Sequence, residues 1–428
     1  MHSHCQYDIV ISYEQRNIDV PGMAGWASSG RVIDMLIENA ALIEDTHTCM
    51  EGFRQEVRGF LDLCLTPEMR AASARQTGLY SDPSISRRWH RILYEKGWIT
   101  PSWPTEHGGI GWSALQKYIF DQECAYAEAP ILPAAGLLMC GPTLLAFGSP
   151  EQRARFLPRL RSGEDYWCQG YSEPGAGSDL AALACRATLD GDDYVVDGTK
   201  IWTTYAQHSN WIFLLVRTST QGRPQRGITF LLMDLSSPGV TIQPIISMSG
   251  EHEVNQLFFD AVRVPVRNRV GAENDGWQIA KRLLEFERSG VYGPRARRVL
   301  ARVQRLARMD GGLWSNRDFR RRFAEISIET DALEAAELRL VSGQQRLPDS
   351  SAPSLLKLAG TETVQRATEL AVLAGGASAA YQLEATAHGD CDEGSISMAR
   401  YLNSRAATIY GGSSEVQRNI LARSVLGL

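Results

Sequence analysis

The chain has 428 residues, a net charge of −5, and 44% hydrophobic and 22% charged residues, a length that allows about two or three domains with sizeable cores. No basic excess points to nucleic acid, and no run of about 18 apolar residues is present to span a bilayer. Eight cysteines without paired short spacings, behind no apolar signal segment, point to a reduced, cytoplasmic setting.

Residues 1–49 read as a separate N-terminal extension. Pro21-Gly22 and Ser28-Ser29-Gly30 break them up, and only 31–44 forms a short amphipathic pattern. A genuine extension or a reading frame opened too early accounts for them, the second being favoured. His2, His4 and Cys5 are ligand types at a chain start and are not read as a metal site.

From 50 to 165 the period is helical. Ser86–Lys96 is a predicted helix stopped by Gly97, Ser113–Ala127 and Leu132–Phe147 carry apolar residues at i, i+3, i+4 spacing, and Ser149-Pro150-Glu151 opens another helix. His107, in the Pro-, Gly- and Trp-rich loop 100–112, is read as structural.

From 166 to 275 the period becomes two, with short apolar runs at 211–218, 227–235, 239–245 and 256–265, which predicts a small antiparallel β-domain. The helical period returns after Gly276. One long helix is expected over Trp277–Arg308, with a kink or break where Gly290, Gly293 and Pro294 fall. Helices over Arg317–Gln345, Ser354–Leu373, Ser397–Ile409 and Ser414–Leu426 complete a bundle of the four-helix type over 276–428. The fold class is therefore α+β.

The stretch from Cys168 to Thr204 stands apart. Its loop Ser172-Glu173-Pro174-Gly175-Ala176-Gly177-Ser178-Asp179 predicts a turn in which Gly175 and Gly177 sit where a Cβ would clash. Such a turn aims Ser172, Ser178 and successive backbone N–H groups into one hollow suited to polar or anionic ligand atoms. Asp190-Gly191 and Asp197-Gly198 each predict a hairpin turn. The sheet so formed ends at Trp202-Thr203-Thr204. On the residues alone, a surface loop and a ligand site remain equal readings.

The loop and the Trp-x-Thr segment resemble the flavin-binding signature of the acyl-CoA dehydrogenases, over roughly residues 52–428. The resemblance implies a three-domain order of helices, β-domain and helical bundle, with FAD as cofactor and an acyl-CoA thioester as substrate. It places Gln169, Ser172, Trp202 and Thr204 on the flavin and Ser178 on the thioester ligand. Tyr410 and Gly411 fall at substrate positions, and Gly375, Gly376, Ser413 and Glu415 at positions that touch FAD.

The chemistry of such a family needs a carboxylate base for the α-proton in a dry pocket. Many members carry it after a Tyr near the C-terminus, where this chain reads Tyr410-Gly411-Gly412-Ser413. A subset carries it on the long helix, in a segment similar to Leu284-Glu285-Phe286-Glu287-Arg288. That match makes Glu287 the base, with Arg288 beside it.

The family's Gln-x-x-Gly-Gly-x-Gly element survives only as Val372-Leu373-Ala374-Gly375-Gly376-Ala377-Ser378. This combination resembles bacterial dehydrogenases of steroid side chains or dicarboxylyl thioesters that work as two-gene heterotetramers. The implied partners are an electron-transfer flavoprotein and either further copies of the chain, in a homotetramer, or a second dehydrogenase chain. Two readings compete: a flavin monooxygenase or oxidase on the same fold, which Gly411 suits, and a non-catalytic partner subunit completing another chain's site.

Overall fold

A computed structural model describes residues 50–287, 291–309, 312–343, 351–380 and 394–428. The segment 1–49, with the helix expected at 31–44, lies outside the described residues, as does Arg288.

The N-terminal helices start where the sequence supplies a cap. Helix α1 covers 50–64. Thr66 caps α2 (Pro67–Arg75) and Asp82 caps α3 (Pro83–Lys96), which ends on Gly97 at φ +82°. Ser113 and Gln116 form a capping box on α4 (Ala114–Tyr126). Val57, Leu61, Met69, Trp89, Leu93 and Phe120 from these four helices share one buried core. The helix expected at Leu132–Phe147 divides into a π-helical turn, Ala135–Cys140, and α5 (Gly141–Phe147). Pro142 explains the division: it has no N–H to return to the carbonyl four residues back, so the ladder changes register before it. Helix α6 (Pro150–Ser162) opens on the Ser149–Gln152 capping box.

The strands are β1 (Trp167–Gly170), β2 (Arg186–Asp190), β3 (Asp193–Thr204), β4 (Trp211–Arg217), β5 (Ile228–Asp234), β6 (Val240–Ile245), β7 (Val254–Pro265) and β8 (Arg269–Val270). They form one sheet in the order β6-β7-β3-β2-β4-β5-β8, with β1 on β4. The expectation of an antiparallel sheet needs one correction. β1 runs parallel to β4, Trp167 beside Trp211, and a single bridge from Arg186 to Arg217 joins β2 and β4 in parallel. β4 is apolar without alternation because both its faces are covered. Phe213 and Leu215 join Phe230, Leu232 and residues of α6 on one side, while Ile212, Leu214 and Val216 join Val196, Leu257 and Val262 on the other.

Only the first Asp-Gly pair turns a hairpin: β2 and β3 meet at Asp190 opposite Asp193. The second lies inside β3. Gly198, at φ +147°, sits at a register shift against β7, and a Cβ there would lie 2.7 Å from the Cα of Cys185. That close approach makes it a bulge glycine, not a turn glycine.

The long helix expected over Trp277–Arg308 is two helices, α7 (Gly276–Glu287) and α8 (Gly293–Met309), with Pro294 in the first turn of the second. Ile279, Ala280 and Leu283 of α7 pack with α5, α6 and the sheet core. The bundle is built by α8 with α9 (Arg317–Val341), α10 (Ala352–Gly375) and α11 (Ser395–Ser404), and α12 (Ser414–Leu421) lies on α10. Leu300, Val303, Phe319, Ile326, Ala367 and Leu370 fill its core. Among the described residues no helix is long and apolar enough to cross a membrane, and the five described cysteines are free.

Candidate active site

The loop 172–179 is fastened to β3 from below. Ser172 carbonyl accepts from the Ile201 N–H at 2.9 Å. Glu173, next to Ser172 in that loop, turns inward. Its carboxylate accepts from the Ala184 and Cys185 N–H groups (2.6 and 3.0 Å) and from the Lys200 ammonium at 2.7 Å. Lys200 is fully buried and also donates to the Tyr171 carbonyl. The only sequence signal for this pair was parity, since Lys200 shares the inward phase of Tyr194 and Val196.

The predicted role of the loop glycines is corrected. Neither Gly175 nor Gly177 has positive φ, and a Cβ added at either meets nothing within 4 Å. The turn is closed instead by Glu173 and Ala176, each of which donates its N–H to the other's carbonyl at 3.0 Å. Two of the N–H groups expected to face a ligand are thus used within the loop. Ser172 is half-buried and Ser178 exposed.

Trp202 is the outlier of this region. It sits at φ +61° beside a register shift in β3, and its side chain is 59% exposed. Left-handed backbone in a bulky residue is costly and persists where surroundings enforce it. Those surroundings are visible. Asn255, fully buried, donates to the Thr203 carbonyl at 3.1 Å and accepts a hydrogen bond involving His252 at 2.8 Å. Tyr205, also left-handed at φ +59°, donates its N–H to the Glu253 carbonyl at 2.8 Å. Thr204 lies half-buried between these anchors, and Gln169, half-buried on β1, flanks the same sheet region. An exposed indole, hydroxyls at Ser172 and Thr204, and side-chain-free positions at 175 and 177 fit a flat aromatic group with a polar edge, as a flavin ring is.

The C-terminal turn is held as firmly. Gly411 and Gly412 both have positive φ (+64° and +92°). Lys357, buried on α10, donates to the Gly412 carbonyl at 2.6 Å, and the fully buried Gln417 donates to the same oxygen at 3.1 Å. Tyr410 is exposed beside this turn. Ser413 caps α12 through Val416 N–H, and Glu415 is kept below the usual carboxylate range by its own backbone N–H and the Ser413 hydroxyl.

The sequence-predicted residues therefore form separate groups. Gln169, Ser172, Trp202 and Thr204 gather at one end of the sheet. Tyr410, Gly411, Ser413 and Glu415 gather over α10 near Lys357. Gly375 and Gly376 close the far end of α10, 18 residues or roughly 27 Å along its axis from Lys357. Glu287 is the last described residue of α7, a helix that packs on β5, α5 and the π-helical turn.

Three family descriptions match consecutive parts of the chain: Acyl-CoA dehydrogenase, N-terminal domain over 50–164, middle domain over 168–262 and C-terminal domain over 274–426. Acyl-CoA dehydrogenase IpdE1 of Mycobacterium tuberculosis is 37% identical over 400 residues, covering 89% of this chain and 98% of that protein. FadE26 of the same organism is 33% identical over 395 residues, covering 88% and 96%. Among solved structures, the Tcur3481-Tcur3483 steroid ACAD shares 29% identity at a TM-score of 0.78 over 89% of this chain and 98% of its own. The ChsE4-ChsE5 complex from Mycobacterium tuberculosis shares 32% at 0.75, over 89% and 97%.

Proposed function

The chain belongs to the acyl-CoA dehydrogenase family, and from that membership we propose an FAD-dependent α,β-dehydrogenase of an acyl-CoA thioester with Glu287 as its base. Bound FAD supplies the hydride acceptor and the electron store. The chain's own residues position and deprotonate. Trp202 offers its exposed face to the ring, Thr204 and Ser172 donate to its polar edge, and Gln169 supports it from β1. Ser178, exposed at the loop's rim, takes the pantetheine or phosphate end of the thioester. Tyr410 and Gly411 border the acyl group, and Glu287 takes the α-proton with Arg288 beside it.

The observation that carries this reading is Trp202: a tryptophan held left-handed and 59% exposed beside a loop with open space above its glycines. The domain division at 49, 165 and 275, a cytoplasmic setting and an electron-transfer flavoprotein as acceptor belong to the same reading. Anaerobic mixing of the flavin-loaded protein with a panel of acyl-CoA thioesters tests it. Bleaching of the flavin band by at least one of them is expected, and a protein that binds flavin yet is reduced by none overturns the assignment.

Assembly with a second dehydrogenase chain is favoured over a homotetramer by Val372 at the position where a Gln is expected. The similarity to the ChsE4-ChsE5 complex supports it too. In that assembly Gly375, Gly376, Ser413 and Glu415 serve a cofactor shared with the neighbouring chain. The distance along α10 between Gly375-Gly376 and the turn that bears Ser413 and Glu415 accords with the two groups serving different parts of it.

A further inference from the structure

Glu253 joins three parts of the fold at one carboxylate. It lies in the turn between β6 and β7, 8% exposed. One carboxylate oxygen accepts from the Leu79 N–H, in the loop between α2 and α3, and the other accepts from the Asn403 side-chain amide on α11 at 2.6 Å. Its carbonyl accepts the N–H of Tyr205 at 2.8 Å. The neighbours repeat the pattern. Glu251 accepts from the Thr77 hydroxyl, the Tyr205 hydroxyl donates to the Tyr80 carbonyl at 3.3 Å, and Arg400 donates to the Gln76 carbonyl at 2.8 Å. Gly78 is a glycine because a Cβ there would collide with the Glu253 carboxylate.

A buried carboxylate is costly unless its oxygens are satisfied. Here the satisfaction comes from backbone and side chain of two other elements, while the same residue's carbonyl closes a left-handed tyrosine. We propose that Glu253 is a positioning residue, which fixes the Trp202–Tyr205 edge in one placement relative to the 77–81 loop and to α11. A side chain without a polar end would hold neither of those elements. Glu253 thereby sets where the strand presents Trp202 and Thr204; the catalytic consequence rests on the function proposed above.

Hydrogen-exchange mass spectrometry on the full chain tests this without any cofactor. In Glu253→Ala, peptides over 76–81, 203–206 and 400–404 are expected to exchange together, about tenfold faster or more, while β4 stays protected. Glu253→Gln keeps an acceptor for Leu79 and can meet a rotated Asn403 amide, so it is expected to restore most of the protection. Loosening in one of the three segments alone, or a Gln variant no better than Ala, overturns the proposal. If the Ala variant does not fold, Asn403→Ala cuts a single arm and must still loosen 203–206; loosening confined to α11 overturns the coupling. In flavin-loaded enzyme, Glu253→Ala is expected to lower kcat about tenfold, the scale of a small misplacement of reacting groups, with KM within about twofold. An unchanged kcat beside loosened segments overturns the catalytic half, whereas a wild-type chain that binds no flavin defeats the functional reading and leaves the exchange result standing.

Discussion

The Lys200 ammonium lies 2.7 Å from the Glu173 carboxylate with no solvent exposure, directly under the loop that bears Ser172 and Ser178. Breaking such a pair leaves a buried charge uncompensated. Lys200→Met is expected to destabilise the chain by about 3–5 kcal/mol, read as a lower denaturation midpoint. Replacing both partners by apolar residues often restores stability in other proteins. Here it is not expected to, because the carboxylate also accepts from Ala184 and Cys185, whose N–H groups would be orphaned. Full recovery in a Lys200→Met, Glu173→Leu variant would show that those two bonds contribute nothing.

Glu337 offers a test with a defined pH sign. It is buried on α9, where one carboxylate oxygen accepts the Tyr292 and Gly293 N–H groups (2.6 and 3.1 Å) and the other faces the Tyr118 hydroxyl. Burial pushes its carboxyl above the ordinary range, against those N–H donors. A folded-state pKa above the unfolded one contributes stability at low pH that is lost as pH rises through the folded value. Glu337→Gln keeps one oxygen for both N–H groups and removes the charge. The variant is expected to match wild type at acidic pH and to become the more stable of the two as pH rises into the neutral range. Denaturation midpoints across that range check it; a widening deficit at neutral pH would contradict it.

How much of this was legible in the sequence depended on whether the determining interaction was local. Gly97, Ser113-Gln116 and Ser149-Gln152 act on their own helices, and each terminus is where the sequence places it. Asp190-Gly191 turns a hairpin because the pairing partner follows immediately; Asp197-Gly198 has the same local chemistry but meets Cys185 across the sheet. The inward carboxylates of Glu173, Glu253 and Glu337 were invisible for the same reason, since their donors lie in other elements. Family resemblance reached Trp202 and Thr204, but the left-handed backbone that exposes the indole is set by Asn255 and Glu253.

Thr204 is half-buried at the end of β3, and Thr204→Val keeps its shape while removing the hydroxyl. On the proposed reading the visible band of bound flavin shifts and turnover falls, by about tenfold for one hydrogen bond of about 1.4 kcal/mol. Ser178→Ala, at the exposed rim, is expected to raise KM for the thioester more than it lowers flavin content. A normal spectrum and turnover in the first variant, or the opposite order in the second, would remove these residues from the site.

Expressed alone, the chain is expected to hold less than one flavin per chain, because the element ending at Gly375-Gly376 lacks its Gln. Flavin absorbance against protein concentration, with light scattering for assembly size, gives the ratio. Full occupancy in a homotetramer would rule out the heteromeric assembly, and a flavin-saturated monomer would rule out any shared site.

Glu287 is the last described residue of α7 and is the base of the proposed reaction. Glu287→Gln keeps the shape and loses the proton acceptor, so reduction of bound flavin by substrate is expected to fall by about 10²-fold or more while flavin binding survives. Gly411→Glu in the same background is expected to recover part of the rate, since the family resemblance puts the usual base at that turn. There Lys357 and Gln417 already hold the neighbouring Gly412 carbonyl. Rapid-mixing reduction measures both. If Glu287→Gln is reduced as fast as wild type, the proton goes to another group, and the partner-subunit reading takes precedence over the catalytic one.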